Sequence, residues 1–194
     1  MFTANDLSAN FEDLTEKHWT ILSIDHNFAV NLLAAAQNHE SSFRPATTST
    51  SLSSLKDIRS DQIYWLEENK SPISEIENSA LKALHDLRTQ LQNYFRISLT
   101  HLETHFAIYN KGEKYVRHRD TTSMNNRRVF SFVIYLNHDW AEKDGGQLVG
   151  YKEDLILFRV QPTIGQMILF RSDLEHEVLV AHKKRYSLTG WMRQ

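Results

Sequence analysis

The run HFAIYNKGEKYVRHRD, His105–Asp120, decides the fold. Two short β-rich segments, HFAIYN and YVRHRD, flank a polar break that contains Gly112. Short runs rich in β-branched and aromatic residues, bounded by polar or glycine breaks, mark strands. Further runs of the same kind follow: VFSFVIYLN from Val129, GQLVGY from Gly146, LILFRV from Leu155, QMILFR from Gln166, HEVLVA from His176 and RYSLTGW from Arg185. Breaks such as KDGG, PTIG and HKK separate them. About eight short strands at this spacing predict a jelly roll.

Upstream of His101 the pattern changes to helical spacing. Leu7, Phe11 and Leu14 recur on one face, and Phe28–Ala36 is a second apolar, helix-prone run. Between Ser74 and Phe95, the stripe Ile76, Ala80, Leu84, Leu87, Leu91 and Phe95 predicts an amphipathic helix that packs against a sheet. In DIRSDQIYWLE, Ile63 and Trp65 suggest one more strand, and TTSTSLSSLK from Thr47 reads as a mobile loop. The expected fold is mainly β with supporting helices: a double-stranded β-helix, or jelly roll, with N-terminal helices packed on one sheet. It is expected as a single domain over 1–194, with 1–100 as mainly helical support plus the mobile loop and 101–194 as the jelly-roll core.

Composition narrows the chemistry. The chain has 194 residues, 41% hydrophobic and 24% charged, as in ordinary globular domains. A formal charge of −2 gives no general attraction to nucleic acid or an anionic membrane. With no cysteine, disulfides, thiolate metal sites and cysteine nucleophiles are all excluded. Any metal must be held by nitrogen and oxygen. No apolar run reaches membrane-spanning length, and MFTANDLSANFEDLTEKHW lacks the basic start and apolar stretch of a secretory signal. A cytoplasmic location is expected.

Alternation along YVRHRD turns His118 and Asp120 to one side. A histidine from another strand would complete a set of two histidines and one carboxylate, which holds Fe(II) with three positions open. A bidentate 2-oxo acid can take two of these and dioxygen the third. His-x-Asp by itself is a weak signal, since it more often marks a solvated turn. HLETH offers a rival set in His101, Glu103 and His105, but three ligands along one strand are too spread to cap one ion, so that face reads as structural. His176, after the break RSDLE, opens an apolar strand, HEVLVA. Nine residues on, Arg185 opens a strand whose alternate residues Ser187, Thr189 and Trp191 make an unusually polar face. A buried arginine needs an anion, and its planar fork fits a carboxylate such as the distal one of 2-oxoglutarate. For both His176 and Arg185 to face inward from one antiparallel hairpin, the connection must be even in length. A four-residue loop, Ala181–Lys184, would pair Val180 with Arg185.

These residues resemble the 2-oxoglutarate oxygenases of the prolyl 4-hydroxylase type, closest to the hypoxia-sensing prolyl hydroxylases and their bacterial relatives. AIYNKGEKYVRHRD, RRVFSFVIYLNHDW, DGGQL and HEVLVAHKKRYSLTGW carry the likeness in order, and IRSDQIYWLE extends it upstream. The resemblance implies His118, Asp120 and His176 as iron ligands and Arg185 as partner of the 2-oxoglutarate C5 carboxylate. It implies Tyr109 and Tyr135 as hydroxyl donors to this cosubstrate, with Thr189 behind them. Arg128 and Trp191 match the substrate rim, Asp61 matches an acid that pairs with Arg128, and 43–58 falls where a loop closes on substrate. The segment Tyr109–His118 is one residue shorter than in the hypoxia-sensing enzymes, and the loop sequence has no recognisable likeness.

The implied activity is Fe(II)- and 2-oxoglutarate-dependent hydroxylation at C4 of a prolyl residue, consuming dioxygen and releasing succinate and carbon dioxide. The implied partner is a protein with an exposed prolyl loop, which bacterial relatives suggest is a translation factor. One alternative is demethylation of nucleic-acid bases, hinted at by Arg117, Arg119, Arg127 and Arg128. It is disfavoured because Trp191 stands where such enzymes carry a second arginine. A jelly roll that only senses iron or a metabolite is the other alternative, and the complete ligand set speaks against it.

Overall fold

Alternating side chains divide each central strand between two different cores. A computed structural model of the chain describes residues 1–4, 6–46, 58–66, 73–121 and 127–194. Its strands are β1 (Trp19–Ser23), β2 (Arg44–Pro45), β3 (Gln62–Trp65), β4 (His101–Tyr109), β5 (Tyr115–His118), β6 (Arg128–Tyr135), β7 (Leu148–Lys152), β8 (Leu155–Val160), β9 (Gln166–Arg171), β10 (Glu175–Val178) and β11 (Arg185–Arg193). Seven form one antiparallel sheet in the order β1-β9-β6-β11-β4-β3-β2, and four form a second in the order β5-β10-β7-β8. This is the expected jelly roll.

On the large sheet, Phe106, Ile108, Phe130, Phe132, Ile134, Leu188 and Met192 face one way. They form a core with the helices α1 (Ser8–Glu16), α2 (His26–Asn38) and α3 (Glu75–Phe95), which supply Phe11, Leu14, Leu32, Leu84, Leu87 and Leu91. Ala107, Tyr109, Tyr135, Ile168 and Phe170 face the other way, meeting Leu148, Phe158 and Val178 of the small sheet. Helix α3 starts with a capping box: Ser74 Oγ accepts from the Glu77 amide, while the Ser74 amide donates to Glu77 Oε2 at 2.7 Å. The helix ends at Arg96, in the left-handed region at φ 52°.

The expected hairpin between His176 and Arg185 is not formed. Strand β10 belongs to the small sheet, where it pairs with β5 and β7, and β11 belongs to the large sheet, between β4 and β6. Val180 therefore does not pair with Arg185. Residues 179–181 cross between the sheets, pinned by bonds from the Leu179 amide to Gln147 O, from the Gly146 amide to Val180 O and from the Ala181 amide to Glu113 O. Gly145 must be glycine here. Its φ is 66°, and a Cβ would stand 2.1 Å from Val180 O. His176 and Arg185 both face the interior because they lie on opposite walls, and loop parity plays no part.

Strand β1 was not anticipated, being a five-residue run within a half dominated by helical spacing. Of the expected closing loop 43–58, residues 47–57 lie outside the described residues. Its described beginning is anchored, with Phe43 buried in the helix-side core and Arg44–Pro45 paired to β3.

Candidate metal and cosubstrate site

Two antiparallel strands of the small sheet bring the histidines together. His118 ends β5 and pairs directly with His176 of β10, so both rings emerge on the same face, 4.3 Å apart between centroids. Asp120 follows two residues after His118, its amide bonded to Ser172 O at 3.2 Å. His118 Nε2 lies 3.6 Å from Asp120 Oδ1, and His176 Nε2 lies 3.5 Å from Asp120 Oδ2. One donor atom from each of the three lies within 4.8 Å of the others, close enough for a single ion.

The surrounding groups orient all three. His118 Nδ1 is 2.8 Å from Val116 O, and His176 Nδ1 is 3.0 Å from Leu174 O. A carbonyl only accepts, so each Nδ1 carries the proton and each Nε2 keeps its lone pair for a metal. Burial lowers the pKa of His176 to about 4, and the neighbouring His118 acts in the same direction, against the pull of Asp120. The neutral ring is the ligating form. Burial alone would raise the Asp120 carboxyl, but His176, His118 and the Ser131 hydroxyl hold it well below the usual carboxylate range. Ser131 Oγ donates to Asp120 Oδ2 at 2.6 Å, and Ser172 Oγ stands behind it at 2.8 Å. Two neutral imidazoles and one carboxylate, without thiolate, fit Fe(II) with positions left open.

Across the cavity the large sheet presents a buried cation, Arg185. Arg185 opens β11 opposite Tyr109, the last residue of β4, and Ser187 pairs with Tyr135, the last of β6. The guanidinium is 1% exposed and lies 5.0 Å from the Tyr109 ring and 5.3 Å from the Tyr135 ring. Nη1 donates to Ser187 Oγ at 3.3 Å, while Arg185 Nε and Tyr135 Oη are buried without a hydrogen-bond partner. Among the described residues, no carboxylate pairs with Arg185. Burial raises the pKa of both tyrosines, so they remain hydroxyl donors. A cation and two hydroxyls with unused capacity fit a carboxylate. Thr189 lines the same cavity, but its hydroxyl is spent on Phe132 O at 2.8 Å.

The rim differs from expectation in one pairing. Asp61 does not meet Arg128. It takes a bidentate bond from Arg59, with Nε at 2.6 Å and Nη2 at 2.9 Å, because Arg59 is only two residues away on the same segment. Arg128 instead pairs with Glu103 on β4, Nη2 to Oε2 at 3.0 Å, and its guanidinium lies 3.5 Å from the Trp191 ring centre. Arg193 also donates to Glu103. Three residues at the site had no role in the sequence reading: Arg59, Tyr115 stacked on His118 at 3.5 Å, and Ser131; His105, read there as part of a structural face, also lines the cavity. Alternation could have flagged His105, which shares its strand face with Ala107 and Tyr109. Nothing local marked Ser131 or Arg59. The cationic cluster is largely neutralised: Arg117 and Arg119 pair with Glu175, and Arg128 pairs with Glu103.

Comparison with known proteins places this geometry. Residues 104–193 match the 2OG-Fe(II) oxygenase superfamily. A prolyl 4-hydroxylase of Pseudomonas putida superposes with a TM-score of 0.87 at 32% identity, over 97% of this chain and 99% of that one. The chain belongs to the 2OG-Fe(II) oxygenases of the prolyl 4-hydroxylase type. Members of this family use Fe(II), 2-oxoglutarate and dioxygen, the reagents for which the two walls of the cavity are suited. Egl nine homolog 1 of Mus musculus is 36% identical over 147 residues, covering 71% of this chain and 36% of that protein. The chain thus spans about a third of the length of the curated relatives it matches. A Trichoplax adhaerens prolyl hydroxylase, solved with a hypoxia inducible factor peptide, shares the fold with a TM-score of 0.79 at 24% identity over 95% of this chain and 87% of that one. Among the described residues, no helix is long and apolar enough to cross a membrane.

Proposed function

We propose that this chain, as one oxygenase domain over 1–194, hydroxylates a prolyl residue at C4 in a protein substrate, with 2-oxoglutarate as cosubstrate. The observation that carries the reading is the pairing of two opposed walls. On one, donor atoms of His118, Asp120 and His176 lie within 4.8 Å of one another; on the other, Arg185 is buried with no acid beside it among the described residues. The first fits an iron ion and the second fits the far carboxylate of a dicarboxylic 2-oxo acid. When bound, iron with 2-oxoglutarate supplies the oxidation that inserts oxygen into a C–H bond, releasing succinate and carbon dioxide.

The chain's own residues position and shield. Val116 O and Leu174 O fix the histidine rings, and Ser131 fixes the carboxylate. Arg185, Tyr109 and Tyr135 hold the cosubstrate at the closed end. Trp191, flanked by Arg128 and Trp65, offers a flat wall at the mouth where a prolyl ring can stack. The comparisons support a peptide substrate, since the Trichoplax relative was solved with one. A translation factor with an exposed prolyl loop remains the substrate we favour, and the cytoplasm the compartment.

The test incubates the full chain, Fe(II), 2-oxoglutarate and ascorbate with a pool of synthetic peptides that carry a central proline between randomised positions. Expected is succinate release coupled to a gain of one oxygen on the central proline. Succinate release with a methylated oligonucleotide and none with any peptide would overturn the reading.

A further inference from the structure

His105 is a buried polar group of the cavity that the metal and cosubstrate roles leave unused. Its side chain is 1% exposed and lines the cavity, yet neither Nδ1 nor Nε2 has a hydrogen-bond partner. Burying two unpaired ring nitrogens destabilises a fold. A leucine or methionine would fill the same space without that cost, so packing alone does not account for the residue. The ring is held rather than loose: its centroid lies 4.6 Å from the Trp65 ring and 5.2 Å from the Trp191 ring. Burial lowers the pKa to about 3, helped by Arg59 and Arg128. The imidazole is neutral, with one N–H donor and one acceptor nitrogen.

Strand register gives its position. Along β4 and β11 the inward-facing pairs run Tyr109 with Arg185, Ala107 with Ser187, His105 with Thr189 and Glu103 with Trp191. The first pair is the cosubstrate end and the last is the mouth. Ser131, which holds Asp120, pairs with Trp191, so the metal ligands sit towards that same mouth. His105 therefore lies between cosubstrate and entrance, where the reacting residue must come. On its own level Thr189 is engaged with Phe132 O and Val133 is apolar. The nearby cations are already paired, Arg59 with Asp61 and Arg128 with Glu103.

We propose that His105 reads the substrate: its ring N–H donates a hydrogen bond to the main-chain carbonyl oxygen of the target residue. This rests on the peptidyl-prolyl reading above. A prolyl residue inside a chain has no N–H, so its carbonyl is its one main-chain polar group and can only accept. A neutral donor fixed between two indoles complements it without adding charge to an iron site.

The test compares the wild-type chain with His105→Leu and His105→Gln, using the best-hydroxylated member of the central-proline pool and its analogue with a thioamide at the target carbonyl, a weak acceptor. His105→Leu is expected to lower kcat/KM about ten-fold, the scale of one neutral hydrogen bond. His105→Gln, which keeps an N–H, restores much of it. Binding of Mn(II) and 2-oxoglutarate, followed by calorimetry, stays unchanged. The melting temperature of His105→Leu holds or rises, whereas a structural histidine would give a fall. The thioamide should slow the wild type and leave His105→Leu unaffected. Equal kcat/KM in wild type and His105→Leu, an equal thioamide effect in both, or a lowered melting temperature with lost cosubstrate binding would each overturn the inference alone. If the wild type hydroxylates no member of the pool, the peptidyl-prolyl reading falls and the inference with it.

Discussion

Replacing Arg185 with leucine should make the protein more stable and less able to distinguish its cosubstrate. Arg185 is 1% exposed, and its guanidinium donates to the Ser187 hydroxyl at 3.3 Å. A cation so buried without an acid costs several kcal/mol, and apolar replacement of buried ionic groups has stabilised other proteins by about 1–4 kcal/mol. For a chain of 194 residues, each kcal/mol moves the melting temperature by roughly 2–4 °C. The ligand-free Arg185→Leu chain is thus expected to melt several degrees higher. With Mn(II) present, 2-oxoglutarate at about one hundred times its Kd adds roughly 2.7 kcal/mol to the wild type, a shift of about 5–11 °C. Pyruvate, which has the 2-oxo acid but no second carboxylate, should give the wild type only a small part of this shift. Losing the charged hydrogen bonds costs at least about 2 kcal/mol, or roughly thirty-fold in 2-oxoglutarate affinity. Differential scanning calorimetry on both chains, without acid and with each of the two acids, gives the six values needed. If Arg185→Leu melts lower than wild type, or still favours 2-oxoglutarate over pyruvate to the wild-type extent, Arg185 is not an anion site.

Three other outcomes follow from the same geometry. His118→Ala, Asp120→Ala and His176→Ala should each abolish Mn(II) binding in a calorimetric titration while circular dichroism keeps the wild-type profile, and full binding by two of the three would remove the metal assignment. Ser131→Ala deletes the 2.6 Å bond to Asp120 and should weaken Mn(II) about 10–100-fold, with the 2-oxoglutarate preference over pyruvate retained. His105, held at about 3 when folded against 6.5 when exposed, remains neutral while the unfolded chain takes up a proton. Stability must then fall as pH drops below about 6.5, by about 2 kcal/mol at pH 5 from this group, and urea unfolding of His105→Leu should show a correspondingly flatter pH dependence.

What could be read from the sequence was whatever repeats locally. Helix α3 showed itself through its stripe and through Ser74 and Glu77, which lie three residues apart. The eight strands of the C-terminal half showed themselves as short β-rich runs between polar breaks, and His118 with Asp120 by being two residues apart in one such run. Which strands share a sheet was not local. That is why His176 and Arg185 could be assigned to the interior, yet wrongly to one hairpin. The same limit hid the partners of the rim. Glu103 reaches Arg128 and Arg193 only because β11 lies between β4 and β6, with β4 and β6 as its two neighbours. Ser131 supports Asp120 from eleven positions along the chain, and no spacing rule connects them.

The two sheets contribute different parts of the site, so the distance between them matters to its chemistry. Both histidines come from the small sheet, while Arg185, Tyr109, Tyr135 and His105 come from the large one. Asp120 belongs to both, since its chain continues from β5 and its carboxylate is fixed by Ser131 of β6. Metal geometry therefore depends on the apolar layer that spaces the sheets. Phe170 of β9 stands at the centre of that layer, 5.8 Å from the Phe158 ring and edge-on to the His176 ring at 4.9 Å. Close packing leaves such a ring no room to shift without moving its neighbours. The apolar core between the sheets and the metal site are in this sense one structure. The alternation of side chains along β10 sets the His176 ring against Phe170 and turns its free nitrogen towards Asp120.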